Sequence, residues 1–168
     1  PIAIVEVPGA GIAEALPAGE PMCDGFMMWQ QMSQAMDPMD CGALLGRACV
    51  ARELTPAEMD AYRAPFPDES YLAGARQFPL LVPTSPDDPA VPANRAAWNA
   101  LGGWEKPFLT TFSDKDPILG GGEKVFKKLV PGAAGQPHVI IEDAGHFLQE
   151  DKGEEIARVM IEFIARDT

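Results

Sequence analysis

The sequence has few basic residues and no long apolar run. Lys and Arg number 13 against 25 Asp and Glu, so the 168-residue chain carries a formal net charge of -12. This acidic balance disfavours binding to phosphate backbones or anionic lipid, and we expect no nucleic-acid or membrane partner. No segment approaches the roughly 18 apolar residues that make a candidate membrane-spanning helix.

Cysteine is also scarce. Cys23, Cys41 and Cys49 are odd in number and lack the paired spacing of a zinc site. The opening residues, PIAIVEV, show no basic segment ahead of an apolar one, so no secretion signal is visible. We therefore expect a cytoplasmic protein in a reducing compartment, without a metal site.

What is present is a globular composition, 46% hydrophobic and 23% charged. Residues 1–20 contain one short apolar run, residues 2–5, which predicts a core strand and an irregular connection. Residues 21–104 are rich in Met and predict helices and loops without a strand. Within them, residues 55–58 (TPAE) predict a helix start with a Thr cap, a Pro in the first turn and a Glu that closes a capping box.

Residues 105–168 alternate between strand and helix patterns. Strands are predicted at residues 108–112 and 138–142, with a helix at residues 123–129 between them. This alternation predicts a parallel sheet, which normally contains more strands than these. The fold class is therefore α/β, and we expect the chain to be part of a larger α/β domain with a helical insertion.

A final amphipathic helix is predicted near the C-terminus. Its apolar residues have the i, i+3, i+4, i+7, i+8 spacing of a helix that lies on a core: Ile156, Val159, Met160, Phe163 and Ile164. Asp151 and Glu154 have the spacing of an N-terminal cap for this helix.

The chain contains only two histidines. His138 begins an apolar strand, where a structural role is the default expectation. His146 follows a strand at its carboxyl end, where ligands bind in open α/β sheets. Asp116 follows the preceding strand, so parallel pairing would bring its carboxylate to the His146 imidazole and fix the tautomer. In the alternative interpretation, Asp116 is solvated and His146 caps a helix. We predict that the two instead form a catalytic pair.

A base and its orienting acid need a nucleophile. The hydrolase frame G-x-nucleophile-x-G has its nearest match at residues 42–46, where Leu44 takes the central place. The serines and cysteines lack this context. We therefore expect the nucleophile strand upstream of residue 1.

Four segments carry a family resemblance: GFMMW at residues 25–29, APFPDESY at 64–71, FSDKDPILG at 112–120 and DAGHFLQE at 143–150. Together they resemble the haloalkane dehalogenases, most closely the subgroup with the dichloroethane-degrading enzyme, from about Leu16 to the C-terminus. The resemblance implies the C-terminal part of an α/β-hydrolase fold, with parallel strands and flanking helices. Residues 21–104 would form the helical cap domain, and residues 105–168 would belong to the core.

The resemblance also implies roles for individual residues. His146 matches the general base and Asp116 the acid that orients it, with Asp114 as the weaker candidate. Trp29 matches the cap tryptophan whose indole N–H holds the leaving halide. Three further residues would line the substrate pocket: Phe26, Ile118 and Leu119.

The implied reaction is hydrolysis of a carbon–halogen bond. An Asp nucleophile forms an alkyl ester, which water activated by His146 then hydrolyses, with no metal or organic cofactor. The partners are a small halogenated aliphatic substrate, halide ion and water. The family nucleophile is an Asp followed by a Trp, a pair absent from this sequence. Either the chain is a truncated or altered gene product, or the nucleophile lies on remaining chain outside this sequence; a separate N-terminal half that carries it would be a partner.

Two other interpretations stay open. One is an epoxide hydrolase or another α/β-hydrolase. An epoxide hydrolase shares the Asp and His chemistry but places cap tyrosines on the epoxide oxygen, for which only Tyr62 and Tyr71 are available. A different class is a non-catalytic, truncated fragment that binds a small apolar ligand or a partner chain.

Overall fold

The computed structural model of the protein describes residues 23–166, so the strand and connection predicted for residues 1–20 lie outside the described residues. The secondary structure in chain order is α1 (Asp24–Ala35), α2 (Cys41–Ala48), α3 (Pro56–Arg63), a 3-10 turn (Glu69–Leu72), α4 (Ala73–Gln77), a 3-10 turn (Phe78–Leu81), α5 (Val91–Gly102), β1 (Thr111–Ser113), α6 (Glu123–Leu129), a 3-10 turn (Pro131–Ala133), β2 (Val139–Ile141) and α7 (Leu148–Arg166). None of the helices in this part of the chain has the length and apolar character needed to cross a membrane.

Residues 23–104, here called the helical region, contain helices and no strand, as predicted. α3 begins at the predicted capping box. The Thr55 hydroxyl accepts a hydrogen bond from the Glu58 amide at 3.3 Å, and the Glu58 carboxylate accepts one from the Thr55 amide at 2.7 Å. The Arg52 guanidinium and the Thr55 donors lower the pKa of Glu58 to about 2. The cap therefore fixes where α3 starts.

Polar contacts join α2 to α3. Asp40 caps α2 by accepting from the Ala43 amide at 2.9 Å, and it pairs with Arg63 of α3 at 2.8 Å. The hydrogen bonds from Arg63 and Ala43 hold the pKa of Asp40 below its usual value. The two helices touch closely, since a Cβ on Gly42 would lie 2.3 Å from the Met59 carbonyl oxygen.

Residues 105–166, here called the sheet region, contain a two-stranded parallel sheet. Thr111 lies opposite Val139 and Ser113 opposite Ile141, which confirms the predicted parallel pairing. The paired segment of β1 begins later than predicted. Phe108 instead donates its amide to a carbonyl near α6 and buries its ring in the core.

The core surrounds Phe126 of α6, whose side chain is 4% exposed. Its ring centroid lies 5.3 Å from that of Trp98, 5.8 Å from Phe108 and 6.2 Å from Phe112. Aromatic rings of this kind bury large apolar areas and favour such offset geometries. Trp98 belongs to α5, so the last helix of the helical region packs on the sheet region. The domain boundary at residue 104 stays a prediction.

α7 follows β2 and contains a kink. The backbone leaves helical geometry at Lys152, where φ is -139° and ψ is 37°. The prediction that Asp151 caps this helix is wrong, because its carboxylate accepts from amides elsewhere in the chain. Of the predicted apolar stripe, Phe163 is buried and Ile164 is exposed.

Candidate active site

Two loops meet at the carboxyl edge of the sheet, because β1 and β2 are parallel. The loop after β1 supplies residues 114–116, and the loop after β2 supplies residues 143–146. The Asp114 carboxylate accepts from the Ala144 amide at 3.3 Å, and the Lys115 amide donates to the Ala144 carbonyl at 3.1 Å. Hydrogen bonds of both backbone and side chain therefore hold the two loops side by side.

Asp116 and His146 lie in contact at the ends of these loops. The His146 Nδ1 atom lies 3.1 Å from each carboxylate oxygen of Asp116. The Asp116 side chain is 6% exposed, and one of its oxygens also accepts from the amides of Ile118 at 2.8 Å and Leu119 at 3.1 Å. These donors anchor the carboxylate opposite the imidazole ring.

The environment of Asp116 keeps it ionised. Burial acts to raise its pKa, but the hydrogen bond from His146 and those from the Ile118 and Leu119 amides outweigh burial, so the pKa lies below its usual value. An ionised acid accepts the Nδ1–H of a neutral imidazole and leaves Nε2 as a proton acceptor. The His146 side chain is 32% exposed, so water has access to the ring. The pair has the geometry of a general base and its orienting acid.

The peptide before His146 is held from both sides. The buried Ser113 hydroxyl donates to the Gly145 carbonyl at 2.7 Å, and the Asp151 carboxylate accepts from the Gly145 amide at 2.8 Å. The sequence prediction missed both residues. Only the position of Ser113, directly after a strand and three residues before Asp116, offered a signal.

α1 packs on the loop that carries the acid. The Cys23 thiol lies 3.6 Å from the Ile118 carbonyl oxygen, and a Cβ on Gly25 would lie 3.5 Å from the Pro117 carbonyl oxygen. The next residue, Phe26, is buried. The first turn of α1 is therefore in contact with the loop after β1 that carries Asp116, here called the acid loop. A pocket shared by Phe26 and Ile118 requires this contact.

Trp29 lies on α1 one turn after Phe26 and is half-buried. Residues three apart lie on neighbouring positions of one helix face. Trp29 therefore lies on the same face of α1 as Phe26. Its role in halide binding stays a prediction, as do the roles of the other predicted site residues.

Of the two tyrosines of the helical region, one is hydrogen-bonded to a carboxylate and the other is exposed to solvent. The Tyr62 hydroxyl donates to Glu150, a bond that raises the pKa of Tyr62 to about 12. Tyr71 is exposed to solvent. This arrangement disfavours a pair of tyrosines acting together on an epoxide oxygen.

His138 is hydrogen-bonded at both ring nitrogens. Its Nδ1 accepts from the Thr110 amide at 3.1 Å, and its Nε2 lies 2.7 Å from the Ala133 carbonyl oxygen. These contacts give it the structural role expected from the sequence. Within residues 23–166, no cluster of three or more His, Cys, Asp or Glu side chains is placed to hold a metal ion.

No protein-family model matches the chain. It is 51% identical over 150 residues to a haloalkane dehalogenase of Psychrobacter cryohalolentis, an alignment that covers 89% of this chain and 49% of that protein. It is 54% identical over 137 residues to haloalkane dehalogenase 1 of Mycobacterium tuberculosis, covering 81% of this chain and 45% of that protein. The chain therefore spans about half the length of the curated relatives it matches.

The fold is similar to solved haloalkane dehalogenases. The tetrameric enzyme of Paraglaciecola agarilytica aligns with a TM-score of 0.71 and 26% identity, over 85% of this chain and 47% of that one. A putative ancestral haloalkane dehalogenase aligns with a TM-score of 0.67 and 23% identity, over 96% of this chain and 53% of that one. These alignments confirm the predicted fold class, part of an α/β-hydrolase fold.

Proposed function

The chain is a partial-length relative of the haloalkane dehalogenases, and we propose that it supplies the base, the orienting acid and the halide-binding side of such an enzyme. The observation that carries the proposal is the contact of His146 Nδ1 with both carboxylate oxygens of Asp116. The half-exposed imidazole and the nearly buried acid support a base that faces water while its partner stays ionised.

In the proposed reaction an Asp carboxylate of the enzyme's N-terminal half attacks the halogen-bearing carbon of a small halogenated aliphatic substrate. The carbon–halogen bond breaks, its electron pair leaves with the halide, and an alkyl ester forms. His146 then takes a proton from water at Nε2, and the water oxygen attacks the ester carbonyl. The ester C–O bond breaks, the alkoxide leaves as the alcohol with the hydroxyl proton of the intermediate, the Asp carboxylate is regenerated, and the imidazolium returns its proton to solvent. Asp116 stabilises the imidazolium formed in that step.

Trp29 would stabilise the leaving halide. An indole is a hydrogen-bond donor without an acceptor, which suits an anion such as chloride or bromide. Phe26, Ile118 and Leu119 would line the apolar part of the pocket. The contact of the first turn of α1 with the acid loop supports this arrangement, because it brings the helix that carries Phe26 and Trp29 to Asp116.

Exposed apolar side chains support association with the N-terminal half. Ile161 of α7 is 65% exposed, and Ile140 of β2 and Ile164 of α7 are also exposed. Apolar residues on the sheet and on its flanking helix are usually covered in α/β folds. The alternative of a non-catalytic fragment that binds a partner chain predicts the same association, without turnover.

We also propose a cytoplasmic location. Cys23, Cys41 and Cys49 are unpaired, which suits a reducing compartment. Burial raises the pKa of Cys41 and of Cys49, so both remain thiols at neutral pH. The membership of the dichloroethane-degrading subgroup stays a prediction.

The test is bromide release from a bromoalkane by the 168-residue chain, alone and mixed with the separately expressed N-terminal half of the Psychrobacter relative. We expect turnover only in the mixture. With His146→Gln in the mixture, about one bromide per active site should be released, and intact-protein mass should reveal a trapped alkyl adduct. Asp87→Asn, at an exposed residue of the loop before α5, serves as the control and should turn over normally.

Four outcomes would contradict the proposal. Turnover by the chain alone would show that the nucleophile lies within it. Repeated turnover by His146→Gln would remove His146 as the base. Association of the halves without bromide release would favour the non-catalytic interpretation, and diol formation from an epoxide would favour the epoxide hydrolase.

A further inference from the structure

Asp151 joins the helical region to the loop that carries His146. Its carboxylate accepts from the amide of Val50 at 2.9 Å and from that of Ala51 at 2.9 Å, both in the loop after α2. It also accepts from the amide of Gly145 at 2.8 Å. One side chain therefore holds two segments that lie about 100 residues apart in the sequence.

The charge of Asp151 suits this role. Burial acts to raise its pKa, but the hydrogen bonds from the amides of Gly145, Ala51 and Val50 outweigh burial, so the pKa lies below its usual value. Hydrogen bonds to an ionised acceptor are shorter and stronger than neutral ones. Asp151 stands just before the kink at Lys152, so its side chain is not part of a regular helix start.

Gly145, which binds Asp151 and directly precedes His146, has no room for a side chain. A Cβ on Gly145 would lie 2.7 Å from the Ala48 carbonyl oxygen and 3.1 Å from the Val50 Cγ1 atom. The carbonyl of Gly145 accepts from Ser113 of β1. The peptide that leads into His146 is thus fixed by the sheet on one side and by the helical region on the other.

We propose that Asp151 is a positioning residue, which orients His146 toward Asp116 by holding the amides of Val50, Ala51 and Gly145 together. The orientation of the imidazole then depends on the helical region being seated against the loop of His146. This inference deepens the proposed function and rests on it for the role of His146 as the base.

NMR of the 168-residue chain labelled with ¹⁵N-histidine provides the test. His138 serves as an internal reference, because Thr110 and Ala133 occupy its ring nitrogens. At a pH where the rings are neutral, His146 should be mainly the Nδ1–H tautomer. Asp151→Asn should lower the population of that tautomer at least two-fold and leave the His138 signals unchanged.

Backbone hydrogen exchange measures the same contacts. Asp151→Asn should accelerate exchange at the amides of Val50, Ala51 and Gly145 at least ten-fold, because an amide group offers one acceptor oxygen where the carboxylate offers two. Glu154→Gln is the matched control. Glu154 is exposed on the same helix, so its substitution removes an equal charge and should change neither readout.

A second variant keeps the charge of Asp151. Val50→Pro removes one of the three donors, and Cys49 before it is extended, with ψ 138°, a conformation that accepts a following proline. We expect a smaller change in the His146 tautomer in the same direction. This variant also carries the test if Asp151→Asn does not fold.

The positioning role is overturned if both variants fold, exchange at the Gly145 amide accelerates and the His146 tautomer population does not move. Asp151 would then stabilise the junction without orienting the base. A tautomer response together with no bromide release from the mixed halves would instead contradict the proposed function and leave the role of Asp151 intact.

Discussion

The helical region and the sheet region are held together by different interactions. In the helical region, buried apolar side chains such as Leu54 and Leu72 are accompanied by partly exposed ion pairs, such as Asp40–Arg63 and Arg52–Glu58. In the sheet region the aromatic cluster around Phe126 and the fully buried Ile141 form the centre. Apolar burial contributes roughly 25 cal/mol per Å², whereas exposed ion pairs contribute about 0–1 kcal/mol each.

This difference suits the proposed chemistry. His146 and Asp116 both stand on loops that leave the sheet, where buried packing fixes the strands. Phe26 and Trp29 stand on a helix of the other region, whose start contacts the loop of Asp116 through Cys23 and Gly25. The base and acid thus have a rigid support, and the pocket side has a more adaptable one.

The largest effect should come from the aromatic cluster. Phe126→Ala removes the ring that contacts three other aromatic rings, and truncation of a buried Phe costs roughly 3–5 kcal/mol. Urea unfolding followed by fluorescence measures this loss of unfolding free energy. Phe78→Ala in the helical region is the control. Its ring is 72% exposed, so the change should stay within about 0.5 kcal/mol.

Equal losses of unfolding free energy from Phe126→Ala and Phe78→Ala would contradict the contrast between the regions, because each change deletes one phenyl ring. A small loss at both positions would mean that the cluster does not stabilise the sheet region.

An intermediate effect is expected at Asp116. Asp116→Asn weakens hydrogen bonds to a nearly buried charge, worth roughly 1–3 kcal/mol of unfolding free energy at pH 7. Because folding lowers the pKa of Asp116, its contribution is present above the unfolded value near pH 4 and is lost as the pH falls through the folded value. The difference between wild type and variant should therefore shrink below about pH 4.

Urea unfolding from pH 7 to pH 3 measures this dependence. Asp114→Asn, two residues earlier and exposed with one 3.3 Å hydrogen bond, is the matched control and should cost less than about 0.5 kcal/mol. A difference at Asp116 that stays constant over the whole pH range would exclude the ionised carboxylate as its cause.

The smallest effect should come from the cap of α3. Thr55→Ala removes the hydroxyl that accepts from the amide at the third helical position and should cost about 1 kcal/mol. Thr55→Ser keeps the hydroxyl and should cost only a few tenths of that. Thermal unfolding of the two variants provides the comparison. A cost at Thr55→Ala equal to that of Phe126→Ala would show that the helical region is no weaker than the sheet region.

Local features of the fold could be predicted from the sequence. The capping box at Thr55 and the helix Glu123–Leu129 depend on residues within one or two turns of each other, and both are present as predicted. β2 lies inside the predicted segment 138–142. The proximity of Asp116 and His146 follows from parallel pairing, which places both following loops at one edge.

Contacts between segments that no predicted strand pairing brings together could not be predicted. The sequence favours Asp151 as a helix cap because the cap pattern is local, but the amides it binds belong to Val50, Ala51 and Gly145. Ser113 likewise binds a backbone carbonyl that has no sequence signature. The contact of Trp98 with Phe126, which crosses the predicted boundary at residue 104, also has no local sequence pattern.

The junction at Asp151 has a consequence for how freely the sequence of the helical region can vary. On the helical side it is made mainly of main-chain atoms: two amides that donate to Asp151 and the Ala48 carbonyl oxygen that faces Gly145. Side chains at residues 48–51 can therefore change while the joint stays the same. A helical region of quite different sequence could be grafted onto this sheet region, provided that its main chain follows the same path there, and the contact of His146 with Asp116 would be kept.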